Sequence, residues 1–451
     1  MLAVRSATDA HAALLRQAET HAERGERTAA VAAYGRLAEL RPRSPAPHLG
    51  LAGVYLAWGR VEEALEALAE AEERGAKAVE VARLRAFAHA RRAERSVEER
   101  VSGWTSAAEH GARAVALGGS DLDLRALVAE AHLASRDWAS AAAAYEAMVR
   151  VDPSHAVAHE QLGALGLGVD RAARDHLLEA GTDLSHRLLV VLDGPEGAQP
   201  ARDRHAAAGQ VLFQHRAWAL AARHLELALE DGGTDGLIRA YLGHALDQMG
   251  YRREAQGHLR EAVELAPSWV IPRTFLGLHH DRWGSIGAAR EAYEKAYDLD
   301  PRSAALCLEI GQTWAAEGRY VAAEVWLREA ASLDPEAPAV WEALARFYLN
   351  HHIVSNDRAV AATERLLSLA PEEAEAHDLR GWAAIQTGGY GAAETHLARA
   401  LELDPDLAAA YYHLGLLRDA QGREKDAERA FQRAIDLDTE GGLEGLVERS
   451  N

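Results

Sequence analysis

The sequence holds one cysteine, Cys307, in 451 residues. A lone thiol closes no intramolecular disulfide and builds no paired-cysteine metal knuckle. Nothing in the chain therefore calls for an oxidising compartment, and a cytoplasmic protein is the expectation. Aromatic residues make up only 6% of the chain and prolines number only 13. Alanine is abundant instead, which favours helices packed closely through small side chains and argues against a β-rich fold. Basic residues are in deficit: 49 Lys and Arg stand against 69 Asp and Glu, a formal charge of −20. That balance argues against a general affinity for phosphate backbones or anionic lipid, so no nucleic-acid or membrane partner is expected. No stretch approaches 18 uninterrupted apolar residues, and the start, "MLAVRSATDAHAALLRQAETHAERGE", turns polar before a signal-peptide core has formed. The expectation is a soluble, unanchored chain.

What the chain has in plenty is a period. Gly243, Gly277, Gly311, Ala345, Gly381 and Gly415 follow at steps of 34, 34, 34, 36 and 34. A second small-residue series, Ala221, Ala255, Ala289, Ala323, Ala359, Ala393 and Ala427, keeps the same step with the same two extra residues. Pro267, Pro301, Pro335, Pro371 and Pro405 close successive units, where proline suits the first turn of the next helix. Within a unit, Arg273, Leu276, Gly277 and His280 share one helical stripe, while Ala289, Tyr293 and Ala296 share a second after the turn "RWGS". Each unit is thus a helix-turn-helix hairpin, with a small residue on each helix to permit close approach. A hairpin this short cannot bury its apolar face alone, so neighbours stack and the core runs along the array.

The N-terminal half keeps the rule less strictly. Ala18, Ala52 and Ala86 step by 34, and Ala129 arrives 43 later, which places nine extra residues around "RRAERSVEER". The reading is a lead-in over 1–10, five units over 11–180 with the last degenerate, and a joint or hinge over 181–201. Seven units over 202–441 and a short cap over 442–451 complete it, about twelve hairpins in all. Within the joint, "RLLVVL" is expected to be a short packed helix, because no nearby segment offers strand pairing, followed by the loop "DGPEGAQP". Leu443, Leu446 and Val447 are expected to cover the last helix.

These residues resemble the tetratricopeptide repeat, in which a large residue, Leu-Gly, Tyr, Ala, an aromatic or Leu, and Pro recur. The match is close in "VWEALARFYL" (340–349), "AYYHLGLLRDAQGREKDAERAFQRAIDLD" (410–438) and "IGQTWAAEGRYVAAEVWLREAASLDP" (310–335). The resemblance implies an all-α solenoid wound as a right-handed superhelix, with the first helix of each hairpin lining its concave side. The matching groove positions are His244, Asp247, Gln248, Thr274, Asp281, Arg282, Gln312, Glu342, Arg346, Asn350, Asp378, Trp382, Gln386, Tyr412 and Asp419. Acidic residues outnumber Arg282 and Arg346 in that row, so a peptide or helix carrying basic residues is the expected partner. Trp382, a large aromatic on an open face, marks an expected contact.

Candidate chemistry is sparse. His279, His280 and Asp281 are adjacent in sequence and point about 100° apart on a helix, so they do not converge on one ion. His280 falls at a packing position. His155 and His159 share a helix face but lack a third ligand, and His351 and His352 fall in the longer turn of one unit. Cys307 sits among Ala304, Leu306 and Leu308 as a small buried residue, and no Walker loop, GxSxG or HExxH occurs. The reading is a non-enzymatic interaction scaffold that uses neither cofactor nor metal. A rival is self-assembly of the array ends into homo-oligomers. A third reading is a metal-dependent hydrolase built on His155 and His159.

Overall fold

The computed structural model describes residues 2–168, 172–193, 201–230, 235–351, 356–438 and 443. The loop 194–200, His352 and all of the expected cap except Leu443 lie outside them. Among the described residues every regular element is an α-helix. The first half runs α1 (Leu2–Glu23), α2 (Arg27–Leu40), α3 (Ala46–Trp58), α4 (Val61–Glu73), α5 (Ala78–Arg95) and α6 (Arg100–Ala116). It continues through α7 (Leu122–Ala134), α8 (Trp138–Val151), α9 (Ala156–Gly166), α10 (Ala172–Ala180) and α11 (Asp183–Leu192). After it come α12 (Ala201–Gln214), α13 (Trp218–Glu230), α14 (Gly236–Gln248), α15 (Arg252–Leu265), α16 (Val270–Arg282), α17 (Ile286–Tyr297) and α18 (Ala304–Ala316). The last are α19 (Tyr320–Leu333), α20 (Pro338–His351), α21 (Asn356–Leu369), α22 (Ala374–Gln386), α23 (Tyr390–Leu403), α24 (Ala408–Ala420) and α25 (Glu424–Leu437). With α11 set aside, the helices pair consecutively into the hairpins of an α-solenoid.

The small-residue rule has a direct cause. A Cβ added at Gly311 on α18 would lie 2.8 Å from Leu327 Cγ and 3.2 Å from the Leu327 backbone nitrogen on α19. Gly243 meets Leu259 and Gly381 meets Leu397 in the same way. The second helix answers with a stripe of Ala323, Leu327, Ala330 and Ala331, all buried, at the spacing of one helix face. Most of the described turns within hairpins carry a left-handed residue. Gly250, Gly284, Gly318, Gly388 and Gly422 have φ between +71° and +86°. Arg136 (φ 62°) and Arg216 (φ 57°) stand at the same register without the freedom of glycine.

The prolines depart from expectation. Pro267, Pro301, Pro335, Pro371 and Pro405 each sit three residues before the first helical residue, in the turn between hairpins rather than in the first helical turn. A missing N–H and a fixed φ stop the preceding helix there, and an adjacent residue such as Asp334 or Asp404 forms its C-cap.

Contacts divide the chain into two compact units. The first comprises Met1–Ala33, Ala57–Arg60 and His280–Asn451; the second comprises Tyr34–Leu56 and Val61–His279. Within the first, a core of Leu327, Leu344, Phe347, Leu366 and Leu379 runs through α18 to α22. Its last helix also meets its first segments. The Thr28 N–H and hydroxyl donate to Asp436 Oδ1 at 3.3 and 2.9 Å, and Trp58 Nε1 donates to the Ile435 carbonyl at 3.0 Å.

In the second unit the core runs from Ala129 to Ala255. The period break falls inside it, and residues 187–192 are helical. Thr182 and Ser185 form a reciprocal capping box at the start of α11, which buries Leu184, Leu188 and Leu189. The nine extra residues extend both helices of one hairpin, α5 to 18 residues and α6 to 17, against 13 in α4 and α7. The extension places Arg100 where its Nη1 donates to the Gln248 carbonyl at 2.6 Å. Beside it, Arg136 pairs with Glu254 at 2.8 Å and with Glu226, and its guanidinium lies over the Tyr251 ring.

Candidate functional site

The first helices of the hairpins carry the expected groove row, and the two units treat it differently. In the second unit the row is engaged internally. His244 is buried, its ring stacked on Phe275 at 4.4 Å within a cluster that includes Phe213, Trp218 and Tyr241. Gln248 Nε2 is 3.1 Å from His244 Nε2, and the Thr274 hydroxyl donates to the Val270 carbonyl at 3.1 Å. Asp247, only 1% exposed, holds His279 Nδ1 at 2.6 Å. His279 is the inward-facing histidine of the "HHD" stretch, because α16 turns it towards a carboxylate on α14, whereas His280 is half-buried.

In the first unit much of the row reaches solvent. Asp281, Gln312, Arg346, Asn350 and Asp419 are exposed, and Arg282, Glu342, Trp382, Gln386 and Tyr412 are half-buried. Glu342 accepts from Arg346 Nε at 2.9 Å, an i,i+4 pair that neutralises both. Gln386 Nε2 donates to the Leu349 carbonyl at 3.2 Å. Asp378 differs: 4% exposed, it holds His413 Nδ1 at 2.7 Å. Trp382 stacks on that same His413 ring at 4.6 Å, and Tyr412 lies 5.8 Å from Phe431. The aromatic expected on an open face is therefore partly spent on packing.

One carboxylate escaped the reading of the sequence. Glu309 on α18 is half-buried, and burial followed by the neighbouring Asp281 charge pushes its pKa up to about 7. Although Asp281 reaches solvent, partial desolvation of its carboxyl raises its pKa, against the opposing charge of Arg282. Glu309 lies two residues before Gly311, a register where other hairpins carry Tyr241 or Phe275, so periodicity reads it as packing. Acidity in this unit consequently rests on Asp281, Glu309 and Asp419 rather than on the full expected set.

Three histidine pairs form a recurring device. His159 Nε2 donates to the Pro153 carbonyl at 3.0 Å, so in the neutral ring Nδ1 accepts from His176 Nδ1 at 2.9 Å. His224 does the same with the Ala164 carbonyl and His205, and His377 with the Pro371 carbonyl and His396. His155 Nδ1 accepts from the Ala158 N–H and caps α9. Both ring nitrogens of His159 and the Nδ1 of His155 are thus engaged by protein groups. Among the described residues no group of three or more His, Cys, Asp or Glu is placed to hold a metal ion. His351 packs on Tyr320 at 4.4 Å, and Cys307 is fully buried. Among the described residues no helix is long and apolar enough to cross a membrane.

Known proteins match this architecture. Two family profiles, each described as tetratricopeptide repeat, match residues 21–86 and 284–347 and residues 379–441. Mouse superkiller complex protein 3 is 26% identical over 261 residues, covering 54% of this chain and 16% of that protein. Tetratricopeptide repeat protein 37 of Xenopus laevis is 22% identical over 242 residues, covering 51% of this chain and 15% of that protein. The chain therefore matches about a sixth of the length of these relatives. Among solved structures, the APC/C hetero-tetramer Cut9–Hcn1 aligns over 98% of this chain and 96% of that one, with 14% identity and a TM-score of 0.45.

Proposed function

We propose, from the premise that this chain is a tetratricopeptide repeat protein, that it is a non-enzymatic scaffold holding a basic peptide or helix of another protein. Tetratricopeptide repeat proteins are in general interaction scaffolds, since stacked hairpins present an extended surface. The observation that carries the reading is the exposed row on α16, α18, α20 and α24 of the first unit, with Asp281 and Glu309 as neighbouring carboxylates. A Lys or Arg side chain placed there relieves the repulsion that raises Glu309. It also regains in the complex the charge pairing that burial denies. The corresponding row of the second unit offers less, because His244 and Asp247 are already engaged. On this reading the chain uses no cofactor and binds neither nucleic acid nor membrane.

The test is a displayed library of helical peptides selected against the wild type and against an Asp281→Asn, Glu309→Gln variant. Enrichment of Lys and Arg on the wild type, lost on the variant, is the expected result. Affinity of an enriched peptide should also rise between pH 6 and pH 8 as Glu309, titrating at about 7, gains its charge. Peptides selected without basic enrichment, or with equal enrichment on both proteins, refute the basic-partner reading.

A further inference from the structure

Asp436 near the end of α25 is 7% exposed, and a buried carboxylate must find donors. It finds them on its own helix and across the chain. Oδ1 accepts from the Thr28 N–H at 3.3 Å, the Thr28 hydroxyl at 2.9 Å and the Gln432 amide at 3.2 Å. The Gln432 amide also donates to the Thr28 hydroxyl at 2.8 Å. One residue before Asp436, the Ile435 carbonyl accepts from Trp58 Nε1, and the Trp58 ring is itself 7% exposed. Arg27 adds a cation: burial lowers its pKa, and the Asp436 charge opposes that shift.

A repeat array must cover its two terminal faces or it stacks end to end with other copies. The donors and acceptors here are complementary halves of one contact. A head is supplied by Thr28 and Trp58, and a tail by Gln432, Ile435 and Asp436. We infer that this clasp closes within one chain, and that its tail is an interaction surface fitted to the head of a second copy when its own head is withdrawn. The inference goes beyond partner binding by the groove row and shares no residue with it. In one chain the two halves meet at an effective concentration on the order of millimolar, so closure within the chain outcompetes a second copy at lower protein concentration.

The test uses two altered full-length chains. A head-altered chain carries Thr28→Ala and Trp58→Phe; a tail-altered chain carries Gln432→Ala and Asp436→Asn. Each keeps one intact half, so each alone has no complete contact in cis or in trans. Light scattering after gel filtration at about 100 µM, below the effective concentration in the closed chain, should find the wild type and each altered chain monomeric. An equimolar mixture should give a one-to-one dimer of twice the mass. A mixture that stays monomeric, or a wild type already joined into oligomers, overturns the inference. Far-UV circular dichroism establishes that each altered chain is folded, and Gln432→Ala alone replaces the tail pair if the double substitution unfolds.

Discussion

Two arginines stand where most hairpins place a left-handed glycine, and their surroundings separate their fates. A non-glycine residue at this φ costs about 1–2 kcal/mol. Arg136 offsets that cost with ion pairs to Glu254 and Glu226 and with the Tyr251 ring beneath it. No ion pair is seen for Arg216 among the described residues. Arg216→Gly should therefore stabilise the fold by up to about 1 kcal/mol, strain relief less the added chain entropy. Arg136→Gly should destabilise it by about 1–3 kcal/mol, because the half-buried Glu226 loses its ion pair and keeps only the more distant charge of Arg223. Denaturant midpoints of the two variants check both signs, and equal shifts would show that the side-chain network contributes nothing. At this scale the sequence was only partly legible. Asp247 and Asp378 occupy groove register, yet each is buried against a histidine of a following helix, His279 or His413. Which face of a helix sees water depends on what the neighbouring hairpin places opposite, and periodicity carries no record of that.

At the level of the hairpin the sequence is far more transparent. Small residues recur because helices crossing this closely leave no volume for a branched side chain, as the Gly311 and Leu327 contact shows. Ala323, fully buried on α19, gives the rule its test. Ala323→Leu should lower stability by about 1–3 kcal/mol through overpacking. A melting midpoint that does not move would mean that the hairpin tolerates bulk at its closest approach. The nine extra residues were visible as a changed step, and their use was not. They lengthen α5 and α6 by whole turns and carry Arg100 to the Gln248 carbonyl, 148 positions away. Proline position was misjudged for a local reason: in "LELDP" and its kin the residue stops one helix without starting the next.

For the molecule as a whole, neutral histidines make stability depend on acidity. Burial lowers His224 from 6.5 to about 4, and burial together with His110 and Arg92 lowers His89 to about 4. Each group binds its proton more readily in the unfolded chain. Their contribution is complete above pH 6.5 and is lost as pH falls from there towards about 4. Each contributes a slope of up to about 1.4 kcal/mol per pH unit within that window. Thermal melts across that range should show Tm falling with acidification, and His224→Leu should flatten the fall. An unchanged slope in that variant would show that the buried His205 and His224 pair is not responsible. No one of these pairings was expected, because their members lie 17 to 21 positions apart on two helices and meet only when the hairpin closes.

By itself the sequence determined the repeat, its all-α class and the hairpin as its unit, since the spacing of small and apolar residues along a helix is a local property that leaves few ways to fold. The tertiary structure alone decided which polar residues are consumed by neighbours and which reach solvent. It also decided that Thr28 meets Asp436, although 408 positions separate them. Such a contact joins segments far apart in sequence, and no local spacing of residue types along a helix records it.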